Sequence, residues 1–429
     1  MTLTALAVLV GLLALSVPVA AAMGIVGLAL TYFYSPLPLT VAVGEITWSG
    51  TTSFILTAIP FFVLLGEILL RSGMAEKMYS ALSHWVSWLP GGLMHSNIAA
   101  SAMFAATSGS SVATAATIGT VAIGQIEEHK YNERLFLGSL AAGGTLGILI
   151  PPSINMIVYG VLTQSSISRL FLAGIVPGLV LAGLFSFSIW VACMFRPAWG
   201  GIRQRSTWGD RWRSLPDLIP PTAIFLVVVV SIYAGLGTPT ESAAVGVVLG
   251  LVLAGIKGRL SLAMLRNCLE GATRTTAMII AILVGAYFLN FVITNIGLIN
   301  QISSTVAALG LSSVATLLAV IAFYLILGCF METLSMMVAT VPITAAILVG
   351  MGYDAVWFGV LVVVLLETAM VTPPMGINLY VIQGLRKRGQ LVDVIVGVLP
   401  FVGALLVMVG LLVVFPGLAL WLPELIMGK

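Results

Sequence analysis

The apolar residues of this chain come in long blocks separated by short polar stretches. Blocks long enough to cross a bilayer core of about 30 Å fall at 3–17 (short), 18–34, 51–71, 134–164, 168–195, 217–236, 239–256, 274–296, 355–385 and 390–416. Two further apolar stretches, 93–126 and 312–348, are interrupted near their middles by Thr107-Ser108-Gly109-Ser110-Ser111 and by Gly328-Cys329-Phe330-Met331-Glu332-Thr333. A polar, glycine-containing centre suits a re-entrant hairpin of two half-helices, whose turn survives at membrane depth only inside protein or beside a polar cavity. The pattern predicts an all-α polytopic membrane protein.

The blocks repeat. Pro151-Pro152-Ser153-Ile154-Asn155 returns as Pro373-Pro374-Met375-Gly376-Ile377-Asn378. Ser110 stands 41 residues before Pro151, and Glu332 stands 41 before Pro373. From each Asn to the next proline, Pro177 or Pro400, the interval is 22 residues, and Pro18 matches Pro239 upstream. Each half then holds five crossings and one hairpin, and the odd number inserts the second half upside down. The expected organisation is a first inverted repeat at 1–195 (hairpin 93–126, broken helix 134–164), a cytoplasmic linker at 196–216, and a second repeat at 217–429 (hairpin 312–348, broken helix 355–385). Inverted repeats around a midplane site are a transporter architecture.

Charge supports a topology with the N-terminus outside. All but Arg169 and Lys429 of the 18 basic residues then face the interior, Arg203 and Arg205 of the linker included, as the positive-inside rule requires. The linker, with Trp199, Trp208 and Trp212 among its arginines, is expected to contact headgroups. Segments 74–89 and 257–272 are expected to be interfacial helices, and His95 is expected to be solvated near the inner surface.

Composition removes other classes. With 60% hydrophobic and 8% charged residues, against about 25% charged in soluble domains, the chain must be solvated by lipid. A net charge of +3 leaves no basic face for nucleic acid. Cys193, Cys268 and Cys329 are too scattered for a disulfide framework or a zinc site. No P-loop, HExxH or GxSxG motif occurs, so neither nucleotide hydrolysis nor a familiar catalytic constellation is indicated. A membrane-embedded transferase would have only Glu332 and Glu367 to work with, and a passive channel would not accumulate substrate.

The hairpins and the broken helices carry the candidate chemistry. Ser110 and Ser111 stand where the returning half-helix of the first hairpin begins, and serine is a preferred N-cap. Thr107 and Ser108 end the incoming half, whose free carbonyls point into the same space. Such a tip offers hydroxyls and carbonyls to a small cation and N–H groups to an anion, although Ser, Thr and Gly also simply let membrane helices pack closely. Prolines at 151–152 and 373–374 break the partner helices, which places Asn155 in the first turn of a new half-helix and gives Thr372, Gly376 and Asn378 the matching positions. Ser110, Ser111, Asn155, Thr372 and Asn378 are the candidate substrate ligands. Glu332 and Glu367 are the only carboxylates placed deep in the membrane, where a charge costs roughly 2.5–3.5 kcal/mol on insertion scales; an ion ligand, a proton site and a paired structural glutamate are the alternatives.

The run Ser108-Gly-Ser-Ser-Val-Ala-Thr-Ala-Ala-Thr-Ile-Gly, the run Gly143-Gly-Thr-Leu-Gly-Ile-Leu-Ile-Pro-Pro-Ser-Ile, and Glu367 through Thr372-Pro-Pro-Met-Gly-Ile-Asn-Leu resemble the large membrane subunit of the tripartite ATP-independent periplasmic (TRAP) transporters. The resemblance covers essentially the whole chain. It implies an elevator in which the hairpins and broken helices slide against a scaffold of the remaining helices. It further implies sodium-driven uptake of an organic acid across a bacterial or archaeal cytoplasmic membrane. The implied partners are a periplasmic substrate-binding protein and a small four-helix membrane subunit, which is not fused to this chain. Carried over residue by residue, one Na+ site would involve Ser108, Gly109, Ser110 and Ser111 with Gly147 to Pro152. A second would involve Gly328, Glu332 and Thr333 with Thr372, Pro374 and Gly376. Gly124, where many relatives have a proline, departs from the pattern. A stand-alone sodium/anion symporter of similar design is the alternative.

Overall fold

The computed structural model of the protein describes residues 1–202, 206–308, 310–374 and 376–428. Arg203, Arg205, Met375 and Lys429, named above, lie outside the described residues. Its regular elements are all helical. In chain order they are α1 (Thr2–Ala14), α2 (Val19–Tyr34), α3 (Val43–Thr51), α4 (Ala58–Arg71), α5 (Met74–Val86), α6 (Leu93–Ser108), α7 (Ser111–Ala122), α8 (Gln125–Glu128), α9 (Glu133–Thr145), α10 (Ile154–Thr163) and α11 (Ile167–Phe195). The chain continues through α12 (Trp208–Tyr233), α13 (Pro239–Ile256), α14 (Leu262–Asn295), α15 (Leu298–Ala308), α16 (Ser313–Leu327), α17 (Thr333–Gly350), α18 (Ala355–Val371), α19 (Ile377–Arg386), α20 (Leu391–Val414) and α21 (Gly417–Met427). Among the described residues, seven helices are long and apolar enough to cross a membrane.

The same local devices recur at matched places. α6 and α7 meet at a two-residue turn, and α16 and α17 pack together across residues 328–332. α9 and α18 each run into a Pro-Pro step, and both Pro151–Pro152 and Pro373–Pro374 are cis. The helices that follow, α10 and α19, have 10 residues each and end in left-handed residues, Gln164 at φ 55° and Lys387 at φ 57°. α4 turns into α5 at Gly73 (φ 70°), and α14 turns into α15 at Gly297 (φ 72°), a conformation that glycine adopts without a Cβ penalty.

Three expectations need correction. Segment 257–272 is not a separate interfacial helix. Ser261 caps the start with its side chain on the Met264 N–H, and nothing between there and Asn295 interrupts the backbone, so one helix of 34 residues forms. The element in the place corresponding to α5 is instead α15. The linker also ends early, because Thr207 and Asp210 form a capping box that starts α12 at Trp208. That helix continues through Pro216, Pro220 and Pro221. Finally, His95 is buried at 3% exposure, with its Nε2 2.8 Å from the Pro90 carbonyl oxygen, because the Pro90-Gly91-Gly92 turn folds over it.

Packing sorts the helices into two groups. α14 lies along α2 and α4, and α13 lies between α4 and α12. We call this group the frame. A Cβ at Gly285 would stand 2.5 Å from the Ala20 carbonyl oxygen, so α14 and α2 meet backbone to backbone. The second group, the core, gathers both hairpins and both broken helices with α11, α20 and α21. There α20 presses on α9: a Cβ at Gly397 would lie 1.8 Å from the Arg134 carbonyl oxygen, and one at Gly138 would lie 2.0 Å from that of Gly397. An ionic cluster ties the ends of this group together. The nearly buried Arg386 donates to Glu133 at 2.8 Å and to Asp393 at 3.1 Å, Arg134 also reaches Asp393 at 3.0 Å, and Arg388 pairs with Glu127.

Candidate functional site

The first tip is built by one capping serine and one glycine. Ser110 is extended and caps α7, its hydroxyl accepting from the Ala113 N–H. Gly109 closes α6 at φ 61°, where a Cβ would stand 2.8 Å from the Pro152 carbonyl oxygen. From the opposite side, a Cβ at Gly147 would lie 2.5 Å from the Ser110 carbonyl oxygen. Two carbonyl oxygens thus occupy spaces that only glycine leaves open. Around them, the Ser108 and Thr114 hydroxyls lie 3.0 Å apart, and Thr114 donates to the Ser110 carbonyl at 2.8 Å. The tip and the first helix break therefore share one small volume. Its donors are neutral oxygens, a set that suits a hard cation better than a softer metal preferring thiolate or imidazole.

Asn378 joins the halves of the chain. Its Nδ2 donates to the Ser111 hydroxyl at 2.9 Å and to the Ala141 carbonyl at 3.1 Å, and its Oδ1 is buried without a partner. Packing follows the same crossed plan: α19 lies on α7, and α10 lies on α17. Each half-helix thus leans on the return arm of the other half's hairpin. Asn155, in the first turn of α10, is buried with its Nδ2 unpaired. Among the described residues, Asn155 and Asn378 are buried side-chain amides in the first turns after the breaks that keep unused hydrogen-bonding capacity.

The second tip differs in chemistry. Glu332 caps α17 with both oxygens: Oε1 accepts from the Leu334 N–H and the Thr333 hydroxyl, and Oε2 from the Ser335 N–H and hydroxyl, all at 3.0 Å. A carboxylate there neutralises orphan N–H groups and complements the positive helix end. Gly328 lies against α18, where a Cβ would meet that of Ala369 at 2.6 Å. Thr372 is extended, as the residue before a proline should be, and its hydroxyl donates to the Thr368 carbonyl at 2.6 Å. Gly376 N–H donates to the Thr372 carbonyl at 3.1 Å, and the Pro374 carbonyl accepts from Tyr380 at 2.9 Å. A small cavity lined by Met331, Glu332, Thr333, Ala369, Met370 and Ile377 joins the tip to the break. Glu367 lies one and a half turns before the break, fully buried, with neither carboxyl oxygen hydrogen-bonded.

Some supporting residues escaped the sequence reading. Tyr79 donates to Asn97 Oδ1 at 2.9 Å, and Asn97 Nδ2 donates to Ser139 at 2.8 Å, linking α5, α6 and α9 behind the first tip. An Asn in an apolar hairpin arm was the available signal. Thr114, four residues beyond the capping Ser110, was the other.

Comparison with known proteins identifies the family. Residues 6–418 match the family model described as "Tripartite ATP-independent periplasmic transporter, DctM component". The chain is 32% identical to the C4-dicarboxylate TRAP transporter large permease protein DctM of Rhodobacter capsulatus, over 97% of this chain and 98% of that one. It is 34% identical to the isethionate TRAP transporter permease protein DctMQ of Oleidesulfovibrio alaskensis, over 92% of this chain and 62% of that longer one. The fold is similar to the crystal structure of the Alcanivorax borkumensis YdaH transporter, with a TM-score of 0.53, 15% identity and coverage of 86% and 88% of the two chains. A match across nearly the full length makes this chain a member of the TRAP transporter family as its DctM component, the large membrane subunit.

Proposed function

We propose that this subunit imports an organic acid by a sodium-coupled elevator, receiving substrate from a periplasmic binding protein and completed by a separate small membrane subunit. The observation that carries the reading is the pair of carbonyl cradles at the first tip, where Gly109 and Gly147 admit the Pro152 and Ser110 oxygens. Ser108, Gly109, Ser110 and Ser111 with Gly147 and Pro152 would hold one Na+. Gly328, Thr333, Thr372, Pro374 and Gly376 would hold a second, with the charge of Glu332 close by. Bound sodium would supply positive charge beside the two helix breaks, where the described residues offer no basic side chain.

A carboxylate substrate fits the remaining groups. The N-terminal ends of α10 and α19, the amides of Asn155 and Asn378 and the hydroxyls of Ser110, Ser111 and Thr372 are donors for an anion. The relatives named for C4-dicarboxylate and isethionate are consistent with an acid. The moving body would be the core, including α11, α20 and α21 because they pack on the broken helices, and the frame would stay fixed. The distribution of basic residues supports an N-terminus on the periplasmic side of the inner membrane.

Reconstitution tests this directly. Proteoliposomes holding this chain and its small subunit, supplied with binding protein and acid, should accumulate substrate under an inward sodium gradient and stop when sodium is replaced by potassium. Accumulation by this chain alone would instead establish the stand-alone symporter. Uptake that ignores sodium would defeat both.

A further inference from the structure

The start of α5 and the end of α13 bring three basic residues, Lys77, Lys257 and Arg259, to one place, with Asp217 on α12 also facing Lys257. α13 ends at Lys257, and Gly258 (φ 66°) turns the chain so that the Arg259 Nε lies 4.0 Å from where a Cβ on Gly73 would stand. Gly73 opens α5, whose first turn carries Lys77. The Lys257 Nζ is buried and has no hydrogen-bond partner. Burial, and then the neighbouring Lys77 charge, lower the Lys257 pKa, and Asp217 on α12 acts in the opposite direction. Among the described residues, none of Lys77, Lys257, Arg259, Asp217 and Glu76 enters an ion pair.

A buried ammonium without a partner, beside a second one, is a costly arrangement unless an anion arrives from outside the chain. The surroundings indicate its nature. Ile256, Leu260 and Leu262, on either side of the turn, are exposed apolar residues at the level where the apolar part of α13 ends. Cations at the end of a membrane helix with apolar residues around them match a phospholipid, headgroup phosphate on the cations and acyl chain along the helix.

We propose that the phosphate of an anionic phospholipid binds between Lys77, Lys257 and Arg259, joining α5 to the end of α13. Three cations against Asp217 and Glu76 leave positive charge in excess, so a headgroup carrying its own cation would satisfy the site less well. The contact would hold α5, which also packs on both hairpin arms, against the frame.

Thermal unfolding of the purified full chain in detergent, followed by the fluorescence of its nine tryptophans, tests the site with three probes: phosphatidylglycerol, phosphatidylcholine and inorganic phosphate. Phosphatidylglycerol should raise the wild-type midpoint more than phosphatidylcholine does. That excess should vanish in Lys77→Gln/Lys257→Met and persist in Lys130→Gln, a change in the turn between α8 and α9, outside the proposed site. Arg259→Gln, exposed and outside any ion pair, should reduce the excess as well, and it serves if the double variant does not fold. Equal effects of the two lipids on the wild type, or an undiminished excess in the folded variants, would overturn the proposal. A rise of the same size with inorganic phosphate would overturn the lipid assignment in favour of a soluble phosphate.

Discussion

Glu367 is the residue whose presence the packing least explains. Its side chain is fully buried, and neither carboxyl oxygen has a hydrogen bond, so it forgoes hydration without a partner in return. An unsatisfied buried polar group costs about 1–3 kcal/mol. Glu367→Leu, of similar length, is therefore expected to raise the thermal midpoint while lowering sodium-driven uptake, the trade expected when a group is retained for function. A lowered midpoint would make Glu367 a structural residue. Asn378 should behave in the opposite way. Its Nδ2 bonds to Ser111 and Ala141, so Asn378→Ala loses two buried bonds at about 1 kcal/mol each. Unfolding measurements should show that loss, together with impaired uptake.

At the level of elements, termini and breaks decide the architecture. Ser110, the two Pro-Pro steps and the Asn positions were legible because a cap and a proline act through the local backbone, whose preferences are written in adjacent residues. The 34-residue α14 was not legible. Its polar first third reads like an interfacial helix, and only the lack of a breaker after Ser261 makes it continuous. The early start of α12 rests on the Thr207–Asp210 box, which the surrounding tryptophans and arginines obscured. Nor could sequence show the crossed packing of α10 on α17 and α19 on α7, because which half-helix meets which hairpin is a property of the assembled chain. Glu332 tests how far capping alone explains a deep carboxylate. Glu332→Ala removes all four hydrogen bonds to the first turn of α17 and should destabilise by about 0.5–2 kcal/mol, whereas Glu332→Asp preserves a good cap and should recover most of that. The half-saturating sodium concentration should follow the same order, with Asp near the wild type; a rise in Asp equal to that in Ala would make the carboxylate a direct ligand.

At the scale of the whole molecule, two bodies can move past each other only if their own contacts are tighter than the contact between them. Glycines mark the difference. Inside the core, a Cβ at Gly397 would fall 1.8 Å from the Arg134 carbonyl oxygen; inside the frame, one at Gly285 would fall 2.5 Å from that of Ala20. Both oxygens belong to backbone and cannot turn aside, so α20 is locked to α9 and α14 to α2. Across the boundary, α4 meets the first hairpin at Gly66, where a Cβ would lie 3.2 Å from both the Cα and the carbonyl oxygen of Ser108. That distance is tight but not prohibitive, since Ser108 would have to give by only a few tenths of an ångström, against more than a full ångström at Gly397. Gly397→Ala should therefore prevent a folded core, seen as aggregation on size-exclusion chromatography. Gly66→Ala should fold with a near-normal thermal midpoint and slow the proposed sodium-driven uptake, because in an elevator the added methyl would stand in the path of the hairpin. A larger residue, Gly66→Leu, should slow it further, with the loss in maximal rate exceeding any change in half-saturating substrate. If Gly397→Ala transports normally, α20 is not fixed to α9; if Gly66→Leu transports at the wild-type rate, the first hairpin does not slide along α4, and the proposed elevator would have to run on another surface or be abandoned.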